Sequence, residues 1–315
     1  MITPQESKAI DSIRFTCIIF LILLHTQVSH LTIPPVTDKL MKIQEFINIP
    51  FLSILFLLSG YLFFLNIDLL TSRKDWLSKI WPNKLQKRIK TLLIPYILWC
   101  CIALLYNYFI KGIELPQNIP NFIMQFWDAG SNTGYPIGKA MWYIKSLIVF
   151  SILSPVYFYF IKWCKHLILI VIIFLIPLDL RIDYPYFNIY LLLGSYLALM
   201  GFTLEKLTSI FNWKICLLFL IISKTTNFLI NGLVIPTFFN FAFCLVILLG
   251  LYLKYNLKSS LVVTCSFLYF SHPYFTGLRN IYMNANNNNG TLQSFLIWIL
   301  TTISVIIICI LLFSI

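Results

Sequence analysis

Between Arg14 and His25 the chain reads Phe15-Thr16-Cys17-Ile18-Ile19-Phe20-Leu21-Ile22-Leu23-Leu24, a run without a single charge. Extended to 13–30, the stretch reaches the ~20 mostly apolar residues that a helix needs to cross a bilayer. It reads as a retained span rather than a cleaved leader. No small-residue cleavage site follows it, and Glu6 and Asp11 share its flank with Lys8 and Arg14.

Nine more stretches of the same kind follow, near 48–66, 91–110, 141–161, 165–179, 185–203, 213–231, 233–253, 259–278 and 292–314. The fifth is short and ends at Pro177-Leu178-Asp179. Composition agrees: of 315 residues 59% are hydrophobic and only 11% charged, with mean hydropathy +0.86. A soluble domain carries about 25% charged residues, so a soluble enzyme and a disordered chain are excluded. The net charge of +12 comes with 28 Phe and 17 Tyr, which excludes an ordinary nucleic-acid binder with a solvated basic face. The expected fold is all-α: a single polytopic membrane domain over 1–315 with about ten transmembrane helices.

Orientation follows from Lys and Arg, which concentrate on the cytoplasmic side. With ten spans, 15 of the 23 fall on the side of the termini, 6 on the other, and Lys145 and Lys224 within spans. Both termini are therefore expected in the cytoplasm. Seven of the 15 crowd into 68–90, which reads as a cytoplasmic loop that anchors topology, attracts anionic lipid, or binds a polyphosphorylated ligand. On the outer side, 111–140 combines Pro116, Pro120, Gly130, Gly134, Pro136 and Gly138 with an apolar stretch from Phe122 to Trp127. It reads as re-entrant or interfacial. The eight cysteines show no metal-ligand spacing, and no metal site is expected.

Ionisable residues inside spans are costly, so each is a functional candidate. They are Arg14, His25, Lys145, Lys224 and His272. Arg14 and His25 are eleven residues apart, about 1,100° of helical rotation and about 16 Å of rise, which puts both on one face. Alone, Arg14 reads equally as a snorkelling anchor or a partner for Asp11, and His25 as a helix–helix hydrogen-bond group. Together they suit proton removal from a hydroxyl during acyl transfer. Lys145 reads as an oxyanion or acceptor contact or as an interfacial anchor. His272, before Pro273, reads as structural or substrate-contacting. Ser59-Gly60 reads as a close helix-packing site.

Arg, ten residues, then His in the first span resembles the signature of the membrane acyltransferase 3 family. The likeness continues in Phe56-Leu57-Leu58-Ser59-Gly60-Tyr61, in Lys87-Arg88-Ile89-Lys90-Thr91-Leu92-Leu93-Ile94-Pro95-Tyr96, and in Trp142-Tyr143-Ile144-Lys145-Ser146-Leu147 with Ser154-Pro155. Leu192-Leu193-Gly194-Ser195-Tyr196 and Phe267-Leu268-Tyr269-Phe270-Ser271-His272-Pro273 complete it. The Trp-Ser-Leu…Glu pattern of the longer branch is missing, and the likeness is to the short, stand-alone surface-polysaccharide O-acetyltransferases.

The resemblance implies a multi-pass protein of the bacterial cytoplasmic membrane that moves an acyl group, most commonly acetyl from acetyl-CoA, to a hydroxyl of a glycan or its lipid-linked precursor. It implies His25 as the essential histidine and Arg14 as its donor-side partner, and suggests Arg88 for the donor's phosphates. The basic cluster independently adds Lys87 and Lys90 to that donor group, while Lys145, Trp142 and His272 are expected on the substrate side. Besides the bilayer, the partners are an acyl-CoA and a saccharide acceptor, with no permanently bound cofactor and no nucleic acid. A flippase-like transporter or a polymerase of lipid-linked saccharides remains the alternative, since buried His and Lys suit either.

Overall fold

The computed structural model describes residues 3–25, 51–128, 137, 141–172, 189–229, 237–254, 300, 303–304 and 307. Its helices in chain order are α1 (Pro4–His25), α2 (Phe51–Phe64), α3 (Arg73–Ile110), α4 (Ile119–Gln125), α5 (Trp142–Cys164), α6 (Ile189–Leu199), α7 (Leu204–Ile210), α8 (Trp213–Leu229) and α9 (Thr237–Lys254). Residues 167–172 are also helical. No strand occurs among the described residues. There α3 and α5 are long and apolar enough to cross a membrane, and α7 with α8, bent by 80°, makes a third candidate. The ninth expected span, most of the tenth and the second half of the fifth lie outside the described residues.

The chain divides into two compact units, Met1–Leu55 with Thr203–Ile315, and Phe56–Phe202. In the first unit α1 packs on α9. Ile10, Ile13 and Cys17 are buried at i, i+3, i+7, the stripe that lets one helix lie along another. Two polar links fix the register: the Gln5 amide donates to the Leu253 carbonyl at 2.6 Å, and Thr16 bonds the Tyr252 hydroxyl. Glu6, fully buried, accepts from the Leu204 N–H at 2.9 Å and so caps the start of α7 from another part of the chain. Cys216 and Leu220 of α8 pack with Val246 and Ile247 of α9, and Trp213 lies against Gly250.

In the second unit, α3 corrects the reading of 68–90 as a loop: helix begins at Arg73 and runs for 38 residues through Pro82 and Pro95. A proline lacks the N–H for the bond four residues back and clashes with that carbonyl. Here each proline follows a widened π turn, Trp76–Ile80 and Ile89–Leu93, and the loosened turn lets the helix continue. Ser72 caps the start, its hydroxyl accepting from the Asp75 N–H at 3.1 Å. The same hydroxyl, and after it Lys79, holds the Asp75 carboxyl below its ordinary range.

Helices α3 and α5 run antiparallel. The Trp81 indole donates to the Ser151 carbonyl at 3.1 Å, and Lys162 donates to the Thr71 carbonyl at 2.9 Å. Pro155, four residues beyond Ser151, cannot donate to that carbonyl, so Trp81 and the Ser154 hydroxyl (2.9 Å) satisfy it instead. Trp76 is stacked between Phe64 (5.6 Å) and Phe158 (4.7 Å), joining α2, α3 and α5. Helices α2 and α6 cross at glycines on both sides. A Cβ on Gly60 would lie 2.3 Å from the Leu191 carbonyl oxygen, and one on Gly194 2.0 Å from that of Leu57. The expectation that Ser59-Gly60 serves close packing is met, with Gly194 as its counterpart.

Candidate functional site

Arg14 and His25 lie on α1, which is helical without interruption from Pro4 to His25. That continuity keeps the eleven-residue spacing at about three turns and about 16 Å. Arg14 is 40% exposed and pairs with Asp11 at 3.6 Å. An ion pair this open to solvent is worth between zero and about 1 kcal/mol, so it orients the guanidinium more than it holds the fold. Thr16 and Cys17 follow on the side of α1 that meets α9, so the packing of the first unit sets the helix's rotation. His25 is described by its helical backbone position, and the chain beyond it to residue 50 lies outside the described residues.

The expected donor-side cations are on α3, in the second unit. Lys87 and Lys90 are exposed, while Arg88 is half-buried with its guanidinium 5.7 Å from the centre of the Phe63 ring. Lys84, which sequence reasoning did not single out, shares that ring at 5.3 Å and donates to the Phe63 carbonyl at the end of α2. Its signal was the 84/88 spacing, i and i+4 on a helix, hidden as long as 68–90 was read as a loop. The structure thus sorts the basic cluster: Lys84 and Arg88 grip α2, and Lys87 and Lys90 face outward.

Of the residues expected on the substrate side, Trp142 and Lys145 open α5. Trp142 packs on Phe56 at 5.7 Å, and the neighbouring Tyr143 hydroxyl bonds Ser59 at 2.9 Å. Lys145 is 1% exposed, donates to the Trp127 carbonyl at 2.8 Å and has its ammonium 4.3 Å from the centre of the Trp127 ring. A fully covered ammonium is not a residue reaching for the interface, and its partner here is the protein's own Trp127. The hydroxyl of Tyr96, the last residue of the basic motif 87–96, donates to the adjacent carbonyl, that of Phe126. Lys224 lies on α8, half-buried, and His272 lies outside the described residues.

The structure therefore places Arg14 and His25 on one helix of the first unit, and Lys87, Arg88, Lys90, Trp142 and Lys145 within the second. A base and a cation at fixed spacing on one helix can hold an anionic or thioester group at one end and a hydroxyl at the other. Among the described residues no group of three His, Cys, Asp or Glu stands close enough to hold a metal ion. No curated protein and no solved structure matches the chain. A family model described as an acyltransferase domain matches residues 7–314, nearly the whole sequence, and the chain belongs to the acyltransferase 3 family.

Proposed function

We propose that this protein transfers an acyl group, acetyl from acetyl-CoA in the first instance, to a hydroxyl of a cell-surface glycan or its lipid-linked precursor, across the bacterial cytoplasmic membrane. The observation that carries the reading is the unbroken helix holding Arg14 and His25 three turns apart in a chain of this family. About ten spans with both termini in the cytoplasm set the direction, supported by the 15-to-6 division of Lys and Arg.

In this reading CoA binds at the cytoplasmic face, its phosphates met by Arg14, Arg88, Lys87 and Lys90. The thioester reaches along the helix toward His25. The neutral imidazole takes the proton of the acceptor hydroxyl as its oxygen attacks the thioester carbonyl. The tetrahedral intermediate collapses by breaking the C–S bond, and the imidazolium returns its proton to the departing CoA thiolate. One ester and one thiol replace one thioester and one alcohol. Trp142, Lys145 and His272 belong to the acceptor side, with Lys145 acting there through the segment it holds.

Membrane vesicles containing the protein, given labelled acetyl-CoA, test the reading by the label found on glycan. His25→Ala at unchanged membrane abundance should lose at least about a hundredfold in rate, the lower range for a general base. Undiminished transfer by that variant would refute the assignment. Glycan that crosses the membrane without acquiring label in the wild type would favour a transporter.

A further inference from the structure

The chain that follows α3 does not stay at the level where the helix ends. Tyr96 lies fifteen residues before Lys111, about 22 Å back along the axis, yet its hydroxyl meets the carbonyl of Phe126. Residues 112–128 therefore turn back along the last part of α3. The opposite helix gives the same level. With Trp81 beside Ser151, Lys145 lies about 9 Å and Tyr96 about 22 Å toward the Lys111 end. Side chains lean toward the N-terminus of their own helix, so Lys145 and Tyr96 reach toward each other from these levels and meet adjacent carbonyls.

Those carbonyls belong to the end of α4, where a helix leaves several acceptors unpaired. Here the carbonyls from Ile123 to Trp127 are each met. The Ile123 carbonyl takes the Phe126 N–H at 3.1 Å, and Met124 takes those of Trp127 (2.9 Å) and Asp128 (2.7 Å). Gln125 takes the Ile137 N–H at 2.8 Å, Phe126 the Tyr96 hydroxyl, and Trp127 the Lys145 ammonium at 2.8 Å. Water would serve a surface helix equally well, whereas hydrocarbon demands that irregular backbone be paired by protein. The covering chemistry agrees. No Asp, Glu, Lys or Arg occurs between Glu114 and Asp128, and Ile119 (76%), Ile123 (61%) and Met124 (47%) are exposed.

We infer that residues 112–128 form a re-entrant segment that dips into the membrane beside the last part of α3, its apolar face against lipid acyl chains, and that Lys145 and Tyr96 are the positioning residues that hold its tip. The inference rests on the reading of 91–110 as a membrane span and not on the chemistry assigned to His25.

The test is a nitroxide on Ile123→Cys in the full-length protein reconstituted in lipid nanodiscs, with the protein lacking that substitution labelled in parallel as background. Collision with oxygen and with a water-soluble nickel chelate gives depth and surroundings. The label should lie at least ~10 Å inside the phosphate level of a ~30 Å core, relaxed more by oxygen than by nickel. Tyr96→Phe and Lys145→Met should each shift it outward, and Lys145→Arg should keep it in place. If Lys145→Met fails to fold, Tyr96→Phe, which removes a single hydroxyl, decides. A label at the phosphate level, or one relaxed more by nickel, overturns the inference, the second by showing a water-filled cavity. A depth indifferent to both Tyr96→Phe and Lys145→Met overturns the positioning roles. Normal acyl transfer with a shallow label sinks this inference alone, and the expected depth without any transfer sinks the function alone.

Discussion

Replacing either glycine at the α2–α6 crossing by alanine pits two effects against each other. Alanine favours helix by up to about 1 kcal/mol over glycine, and an isolated glycine of this kind would gain from the change. At Gly60, however, the new methyl would sit 2.3 Å from the Leu191 oxygen, and at Gly194 2.0 Å from the Leu57 oxygen, against 3.4 Å for ordinary contact. The obstacles are backbone atoms, so no rotamer change relieves them. The helices must part by about 1.1 Å for Gly60→Ala and about 1.4 Å for Gly194→Ala, enough to forfeit a quarter to a half of the dispersion energy along the contact. With overpacking worth about 1–3 kcal/mol, the steric term outweighs propensity and both variants are destabilised, Gly194→Ala the more. One displacement relieves both clashes. Gly60→Ala/Gly194→Ala should therefore cost little more than Gly194→Ala alone, a coupling that a double-mutant cycle reads directly. Unfolding in mixed micelles titrated with denaturing detergent supplies the three values. Stabilisation by either single change, or simple addition in the double variant, would refute the argument.

Two further predictions rest on single side chains. Trp76→Ala should cost about 3–5 kcal/mol, measured by the same titration. Trp76→Phe should cost less than half as much, because it keeps a ring between Phe64 and Phe158 and removes an indole N–H that finds no acceptor among the described residues. Asp11→Asn should change stability by no more than about 0.5 kcal/mol, given the exposure of its pair with Arg14. If Arg14 serves the acyl donor, the same variant should keep most of its transfer from labelled acetyl-CoA, whereas Arg14→Ala should raise the donor KM.

Helical class was legible from composition and from runs such as 13–30, because hydrocarbon burial leaves a strong compositional trace. The face shared by Arg14 and His25 was legible too, since it needs only the helical period and an unbroken helix. What lay beyond the sequence came from long-range partners. Pro82 and seven basic residues made 68–90 look like a loop, and only local widening of the helix before each proline allows it to continue. Lys145 appeared as a charge awaiting a substrate because its acceptor, the Trp127 carbonyl, belongs to a segment 18 residues earlier that no periodicity places beside it. Ser59-Gly60 was read correctly as a packing pair, but its partner at Gly194 is more than a hundred residues away in the chain.

The links from the first helix to the far end of the sequence bear on how the protein is made. Glu6 waits for Leu204, 198 residues later, and Gln5 for Leu253, 248 residues later. At about 5–20 residues per second, a ribosome needs roughly 10–50 s to supply those partners. Throughout that interval the helix bearing Arg14 and His25 lacks the neighbours that set its rotation. The pair proposed for chemistry is thus among the earliest parts synthesised and the latest to be oriented. A nascent chain released before residue 253 would carry both groups without their final alignment, so completion of the chain, and not its beginning, decides when the pair is set.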